Sequence, residues 1–288
     1  MADNDSSEIQ IAPPPWKCKA TAYMIPFWTS SRTAANLPTK AYHPLEAAST
    51  FASPDYGTPV GGLSMIQILR YTESPVGPYD ELLIVPGTFV YPFGNDADGT
   101  KGTKKGLKLT RIYVSQKHTC YNGRQNWNIP KHLARFEWTD LPNGATRVQV
   151  YPPDTNANEG AFFQCTFQKS RIPLPSFPCS VRMLSLLGVE TGLVQPPLPE
   201  GESGELVGTK QWCRAVPIQY ASRTSFLWAD MQQQQQTGEN GDAAADGCEN
   251  FWPGLNRWNA CFKMTDATIE FGDSEVWDTP RHLLSRGE

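Results

Sequence analysis

Proline and glycine constrain this chain more than any other residues. There are 25 prolines and 23 glycines in 288 residues, and they cut the chain into short apolar pieces. Proline removes a backbone donor and glycine weakens regular structure, so long helices have little room. The surviving segments are rich in β-branched and aromatic residues and are bounded by turn residues. "SMIQILRYTES" (64–74), "DELLIVPGTFVY" (80–91), "LKLTRIYVS" (107–115), "TRVQVYP" (146–152) and "GAFFQCTFQKS" (160–170) all read as strands. "SVRMLSLLG" (180–188), "CRAVPIQYASR" (213–223) and "DATIEFGD" (266–273) extend the series. Strands so evenly spaced predict a mainly β (α+β) fold. The expected form is a large antiparallel or mixed sheet closing into a cone or barrel, with few short helices.

Two segments carry helix signals. One lies within 38–52, "PTKAYHPLEAASTFA". The other is "IPKHLARFEW" (129–138), with proline at a plausible first helical position and apolar residues at 129, 133 and 136. A helix there puts Lys131 in its first turn, where the positive end of the dipole disfavours an ammonium. Residues 229–250, with a glutamine run among glycine, alanine and acidic residues, read as a low-complexity disordered loop. Residues 1–12 read as a loose tail, leaving 13–288 as a single domain.

Charge and composition exclude several classes. The formal net charge is -4, with lysine and arginine dispersed. No basic stripe is available to track a phosphate backbone, so nucleic acid is not an expected partner. No apolar run approaches the roughly 20 residues that span a bilayer. The acidic N-terminus lacks the marks of a secretory or mitochondrial leader, and the expected address is cytoplasmic. Seven cysteines without a CxxC pair and only four histidines suit packed, reduced thiols. Neither a metal site nor a cofactor is expected.

One stretch suggests chemistry. "YTES" (71–74) on a strand is followed by "YV" (113–114) and then by "GRQNWNIPKHLARF" (123–136). Over roughly residues 13 to 170 this pattern resembles the acetoacetate decarboxylase family. That family carries a glutamate in a Tyr-Thr-Glu-Ser-like strand, and its imine-forming lysine in a Gly-Arg…Pro-Lys-Lys segment. The resemblance implies that Lys131 is the Schiff-base lysine, that Glu73 orients substrate and lysine, and that Arg124 is the arginine of the Gly-Arg pair. It also implies a homo-oligomer and a small-molecule carbonyl substrate. His132 stands where the family has a second lysine, and Thr21 where it has a carboxylate-binding arginine.

Lysine chemistry points to Lys131 independently of the resemblance. An amine attacks a carbonyl only when deprotonated, and an ordinary lysine near pKa 10.4 is mostly ammonium at neutral pH. Burial among Trp127, Ile129, Leu133 and Phe136 would disfavour that charge. His132 is a candidate for proton transfer if it faces the pocket. Tyr113, Trp127 and Asn128 are candidates to line it, and Trp127 and Asn128 could instead close a turn. For Glu73 a pairing with Arg70 or Arg111 is the structural alternative, and for Arg124 the alternative is a tie to a turn.

Three functions follow in order. The first is a lysine-dependent lyase that decarboxylates a β-keto acid or acts on a related carbonyl metabolite through an imine. The second uses the same pocket for aldolase, dehydratase, isomerase or cyclase chemistry on a larger apolar compound of secondary metabolism. The third is a non-catalytic small-molecule carrier.

Overall fold

A computed structural model describes residues 8–93, 102–154, 160–170, 174–186, 188, 190–231 and 258–280. Among these residues, sixteen strands form one connected sheet. They are β1 (Trp16–Thr29), β2 (Thr58–Glu73), β3 (Tyr79–Val85), β4 (Thr88–Phe93), β5 (Gly102–Leu107), β6 (Arg111–Val114), β7 (Lys131–Leu133) and β8 (Arg135–Asp140). β9 (Thr146–Tyr151), β10 (Phe163–Lys169), β11 (Phe177–Ser180), β12 (Leu193–Gln195), β13 (Trp212–Ala215), β14 (Ile218–Asp230), β15 (Ala260–Phe271) and β16 (Glu275–Trp277) complete it. The helices are short: α1 (Ser31–Ala35), α2 (Pro44–Ala47), α3 (Lys117–Trp127) and α4 (Val181–Leu186).

The main path of pairing runs β16-β13-β12-β5-β4-β2-β1-β15-β14-β10-β9-β8, and β3, β6 and β7 branch from β2. The sheet is mixed, with β5–β12 and β6–β7 parallel. Pairing leaves this path with two ends among the described residues. The branch arises because β2 is long. Its first residues pair with β4, and Met65 to Tyr71 pair with β3.

Alternation along the strands divides the apolar residues between two faces. Leu69, Tyr71, Leu83, Val85 and Ile112 enter one core, whereas Ile66, Ile68, Leu82, Ile84 and Tyr113 enter the other. Burial on both faces is why "LLIV" in β3 is a continuous apolar run.

Several elements differ from the sequence expectation. The expected strand at 80–91 is two strands, broken at Pro86 and Gly87, where Gly87 takes φ +120°. Residues 181–186, expected as strand, form α4, whose good helix formers follow a Ser180 hydroxyl that accepts from the Arg182 amide. The segment 38–52 holds α2 between two 3-10 turns, Thr39–Ala41 and Thr50–Ala52.

Residues 129–138, expected as helix, hold β7 and the start of β8. The helix lies before the lysine, as α3, and Lys131 opens β7. The Gln116 side chain caps α3 by accepting from the Thr119 amide, and Asn128 ends it in the left-handed conformation at φ 51°. Pro130 therefore follows a helix stop and does not begin a helix. Lys131 thus does not lie in the first turn of a helix, and no helix dipole acts on its amine from that side.

From Gln10 onward the expected loose tail is anchored to α3. The Gln10 amide donates to His118 Nδ1, and the Ala12 amide to Asn122 Oδ1. The first residues of the expected loop at 229–250 belong to β14, which runs to Asp230, and the loop lies outside the described residues from 232 on. No helix among the described residues is long and apolar enough to cross a membrane.

Candidate active site

Lys131 sits at the start of β7, parallel to β6 with Ile112 as its Cα partner. Ile112 faces Leu83 on β3, and Leu83 faces Gln67 on β2. The parallel strand delivers the lysine to the same face as these residues. That face walls a cavity of about 160 Å³, lined mostly by apolar side chains including Trp16, Met65, Leu69, Leu83 and Trp127.

The amine reaches the wall of this cavity but is not free. Lys131 Nζ lies 2.9 Å from Glu81 Oε2 and donates to Thr119 Oγ1 at 2.9 Å. Both side chains of the ion pair are 5% exposed. The other Glu81 oxygen accepts from the Tyr71 hydroxyl at 3.3 Å. Tyr71 and Tyr79 stack with centroids 4.3 Å apart, and Nζ lies 5.0 Å from the Tyr79 ring centroid. Burial, reinforced by the Glu81 charge, pushes both phenols well above their ordinary range, so they are neutral donors.

Gly123 explains how the lysine fits. A Cβ at this position would lie 2.6 Å from Lys131 Cδ and 2.8 Å from Cε. The lysine stem lies directly against the bare backbone of α3, which only glycine leaves open.

A second polar cluster lies behind β7. Arg124, fully buried, donates to Glu46 Oε1 at 2.9 Å, to the carbonyls of Pro199 and Val207, and to the carbonyl of Lys131 itself at 3.3 Å. The Cys120 thiol donates to the same Lys131 carbonyl. His132 Nε2 donates to Glu46 Oε2 at 2.7 Å, and the His132 ring stacks on His43 at 3.3 Å. Burial pushes Glu46 up, but its bonds and charge contacts with His132 and Arg124 hold it below the usual carboxylate range. Burial and the neighbouring His132 lower His43 to about 3, so it is a neutral imidazole.

His43, Glu46 and His132 place one ligand atom each within 4.8 Å of one another. The imidazoles lie only 15° from parallel, so their in-plane lone pairs run side by side and do not converge. Glu46 already holds Arg124 and His132 on separate oxygens. This geometry suits a hydrogen-bonded cluster better than metal coordination.

The sequence candidates thus divide. Lys131 and Trp127 line the cavity, with the Trp127 indole N–H donating to the Gly272 carbonyl. His132 and Tyr113 belong to the opposite face, where Tyr113 lies edge-on to His43 and accepts from Arg111. Arg124 is a structural tie. Asn128 closes the turn after α3, donating to the carbonyls of Pro196 and Gln211.

Glu73 is exposed and lies outside the cavity lining; the carboxylate at Lys131 is Glu81. β3 begins opposite Tyr71, so nothing from β3 covers Glu73, whose cross-strand partner is Lys19 beside a bulge. The signal for Glu81 was present in the sequence. It shares the parity of Tyr79, Leu83 and Val85 within a strand otherwise apolar in its second half.

This arrangement of a large mixed sheet and few short helices is the acetoacetate decarboxylase-like fold. The chain superposes on acetoacetate decarboxylase from Legionella pneumophila subsp. pneumophila str. Philadelphia 1 with TM-score 0.54 and 11% identity, covering 96% of this chain and 93% of that one. An acetoacetate decarboxylase-like enzyme from Sphingomonas wittichii RW1 gives 0.53 at 8% identity, with 96% and 98% covered. The enduracididine biosynthesis enzyme MppR gives 0.50 at 12%, with 93% and 89% covered. By sequence the chain is similar to protein NEOXANTHIN-DEFICIENT 1 of Oryza sativa subsp. japonica, 27% identical over 127 residues. That match spans 44% of this chain and 35% of the relative. The Arabidopsis thaliana protein of the same name is 28% identical over 126 residues, 43% and 37% of the two chains. The match therefore spans only about a third of these relatives' length. No protein-family model matches the chain.

Proposed function

We propose that the protein is a lysine-dependent enzyme that forms a Schiff base between Lys131 and a carbonyl metabolite and then makes or breaks a carbon–carbon bond. The observation that carries this reading is a buried amine in the wall of an apolar cavity, 2.9 Å from a carboxylate able to take its proton. In the first step the ammonium proton passes to Glu81, and the freed lone pair attacks the carbonyl carbon. The carbinolamine then loses water to give a protonated imine. That imine accepts the electron pair of the bond that breaks next, whether to carbon dioxide or in a retro-aldol cleavage.

The names of the structural neighbours support decarboxylation as the simplest form of this chemistry. One feature favours the aldol, dehydration or cyclisation alternative. Among the described residues that line the cavity, Lys131 is the only cation, and it is paired with Glu81. A keto acid's carboxylate would then find no cation in this lining besides the lysine nitrogen that its own carbonyl occupies.

The test is borohydride reduction in the presence of a panel of keto acids, ketones and aldehydes, followed by peptide mapping. A mass increment on Lys131, lost in Lys131→Ala, is expected. A panel that leaves Lys131 unmodified, or that labels other lysines equally, refutes the proposal. Release of carbon dioxide from the trapped class separates decarboxylation from the alternative.

A further inference from the structure

We infer that the cavity takes a mostly apolar carbonyl compound of extended shape, bound with its carbonyl at Lys131 and a second hydrogen-bonding group at Gln67. The end at Lys131 rests on the Schiff-base proposal; the rest stands on the cavity wall.

Cross-strand partners share a face, and the registers align a single row: Lys131, Ile112, Leu83, Gln67 and Met24, across β7, β6, β3, β2 and β1. All five line the cavity. Gln67 lies three strand spacings from Lys131, about 14 Å along the sheet at roughly 4.8 Å per strand. Between them the row offers only the apolar Ile112 and Leu83. Beyond Gln67 it continues through Met24 to the half-buried Phe262 and Phe226, so the apolar track does not end in a charged wall.

Gln67 is the informative residue. It is 8% exposed, and its amide nitrogen donates to the Met65 sulfur at 3.0 Å. A thioether is a weak acceptor, and a buried amide so poorly satisfied stands to gain from a hydroxyl or carbonyl placed against it. Met24 and Met65 flank it with side chains that reshape easily around a ligand. The charged residues of the described lining are Lys131, Glu81 and Glu190, a set that disfavours an anionic substrate.

The test measures binding to the wild-type protein by quenching of tryptophan fluorescence, since Trp16 and Trp127 line the cavity. The probes are methyl ketones of four, eight and twelve carbons, the twelve-carbon ketone with a terminal hydroxyl, and acetoacetate. Affinity is expected to rise at least tenfold along the ketone series. The terminal hydroxyl should add roughly a further fivefold to tenfold that disappears in Gln67→Leu. Leu83→Phe, which fills the row between the two anchors, should weaken the long ketones and spare the four-carbon one. Affinity that is flat with chain length overturns the inference, as does acetoacetate binding as tightly as the long ketones. A hydroxyl gain that survives in Gln67→Leu overturns the assignment of the second anchor. Long ketones that bind in this pattern yet leave no borohydride adduct support the inference while refuting imine formation, so the two failures are distinct.

Discussion

Gly123→Ala is the sharpest test of how the lysine is held. The added Cβ would sit 2.6 Å from Lys131 Cδ, and relief to an ordinary contact of 3.4 Å needs a displacement of about 0.8 Å. Two opposing terms set the stability change. Alanine in place of glycine inside a helix gains about 1 kcal/mol, whereas inserting a methyl into packed structure costs about 1–3 kcal/mol. The net is a destabilisation of roughly 0–2 kcal/mol, small enough for the protein to stay folded. The amine does not share that tolerance. Moving it by nearly 1 Å from Glu81 and Thr119 should slow imine formation by about 10²-fold. The assay is the initial rate of borohydride-trapped adduct on Lys131, read beside a denaturant melt. A variant that traps within twofold of wild type at unchanged stability refutes the claim that the bare α3 backbone seats the lysine.

Two further outcomes follow from the same geometry. Glu81→Gln leaves Lys131 without its buried partner and should destabilise the protein by about 3–5 kcal/mol, most of which returns in Glu81→Gln/Lys131→Met; urea melts showing no loss, or no recovery in the double variant, would contradict the pairing. His43 titrates near 6.5 when unfolded and at about 3 when folded. Below pH 6.5 the unfolded chain therefore takes up a proton that the folded chain refuses, and stability falls as the pH drops toward 3. With the side chain 25% exposed, this is worth roughly 2–4 kcal/mol. His43→Asn, which keeps an acceptor for the Leu45 amide, should flatten that acid slope, and an unchanged acid-unfolding midpoint argues against the assignment.

What could be read from the sequence depended on how local each signal was. The strands were legible because proline and glycine bounded short β-branched runs. Lys131 stood out through the resemblance of its Gly-Arg…Pro-Lys segment to the acetoacetate decarboxylase motif, and Trp127 as a large apolar side chain four residues before it. α3 was hidden because Thr119, Asn122 and Arg124 are polar yet buried, which leaves no continuous apolar stripe. Glu81 is not distinguishable from Glu73 by strand parity alone, since only the register between β2 and β3 decides which carboxylate lies under cover. Glu46 and His43 reach His132 from 86 and 89 positions away in a stretch that shows nothing but a short helix. Contacts of that kind are set by the sheet and cannot be read from spacing.

β7 is three residues long, yet it separates two chemistries, because successive side chains leave a strand on opposite faces. Lys131 turns to the cavity and His132 to the Glu46 cluster. A second lysine at position 132 would point away from the cavity too, and would act on the amine only across the backbone. Here the position holds an imidazole that donates to Glu46, and Glu46 holds the Arg124 guanidinium that also donates to the Lys131 carbonyl. The cluster therefore fixes the backbone of the reactive strand, while Glu81 meets the amine. His132→Lys should then place a second cation beside buried Arg124, break the stacking on His43, and cost about 1–3 kcal/mol of stability without quickening imine trapping. A faster trapping rate at wild-type stability refutes this division of labour, because it means that charge at position 132 reaches the amine more strongly than the cluster needs the imidazole.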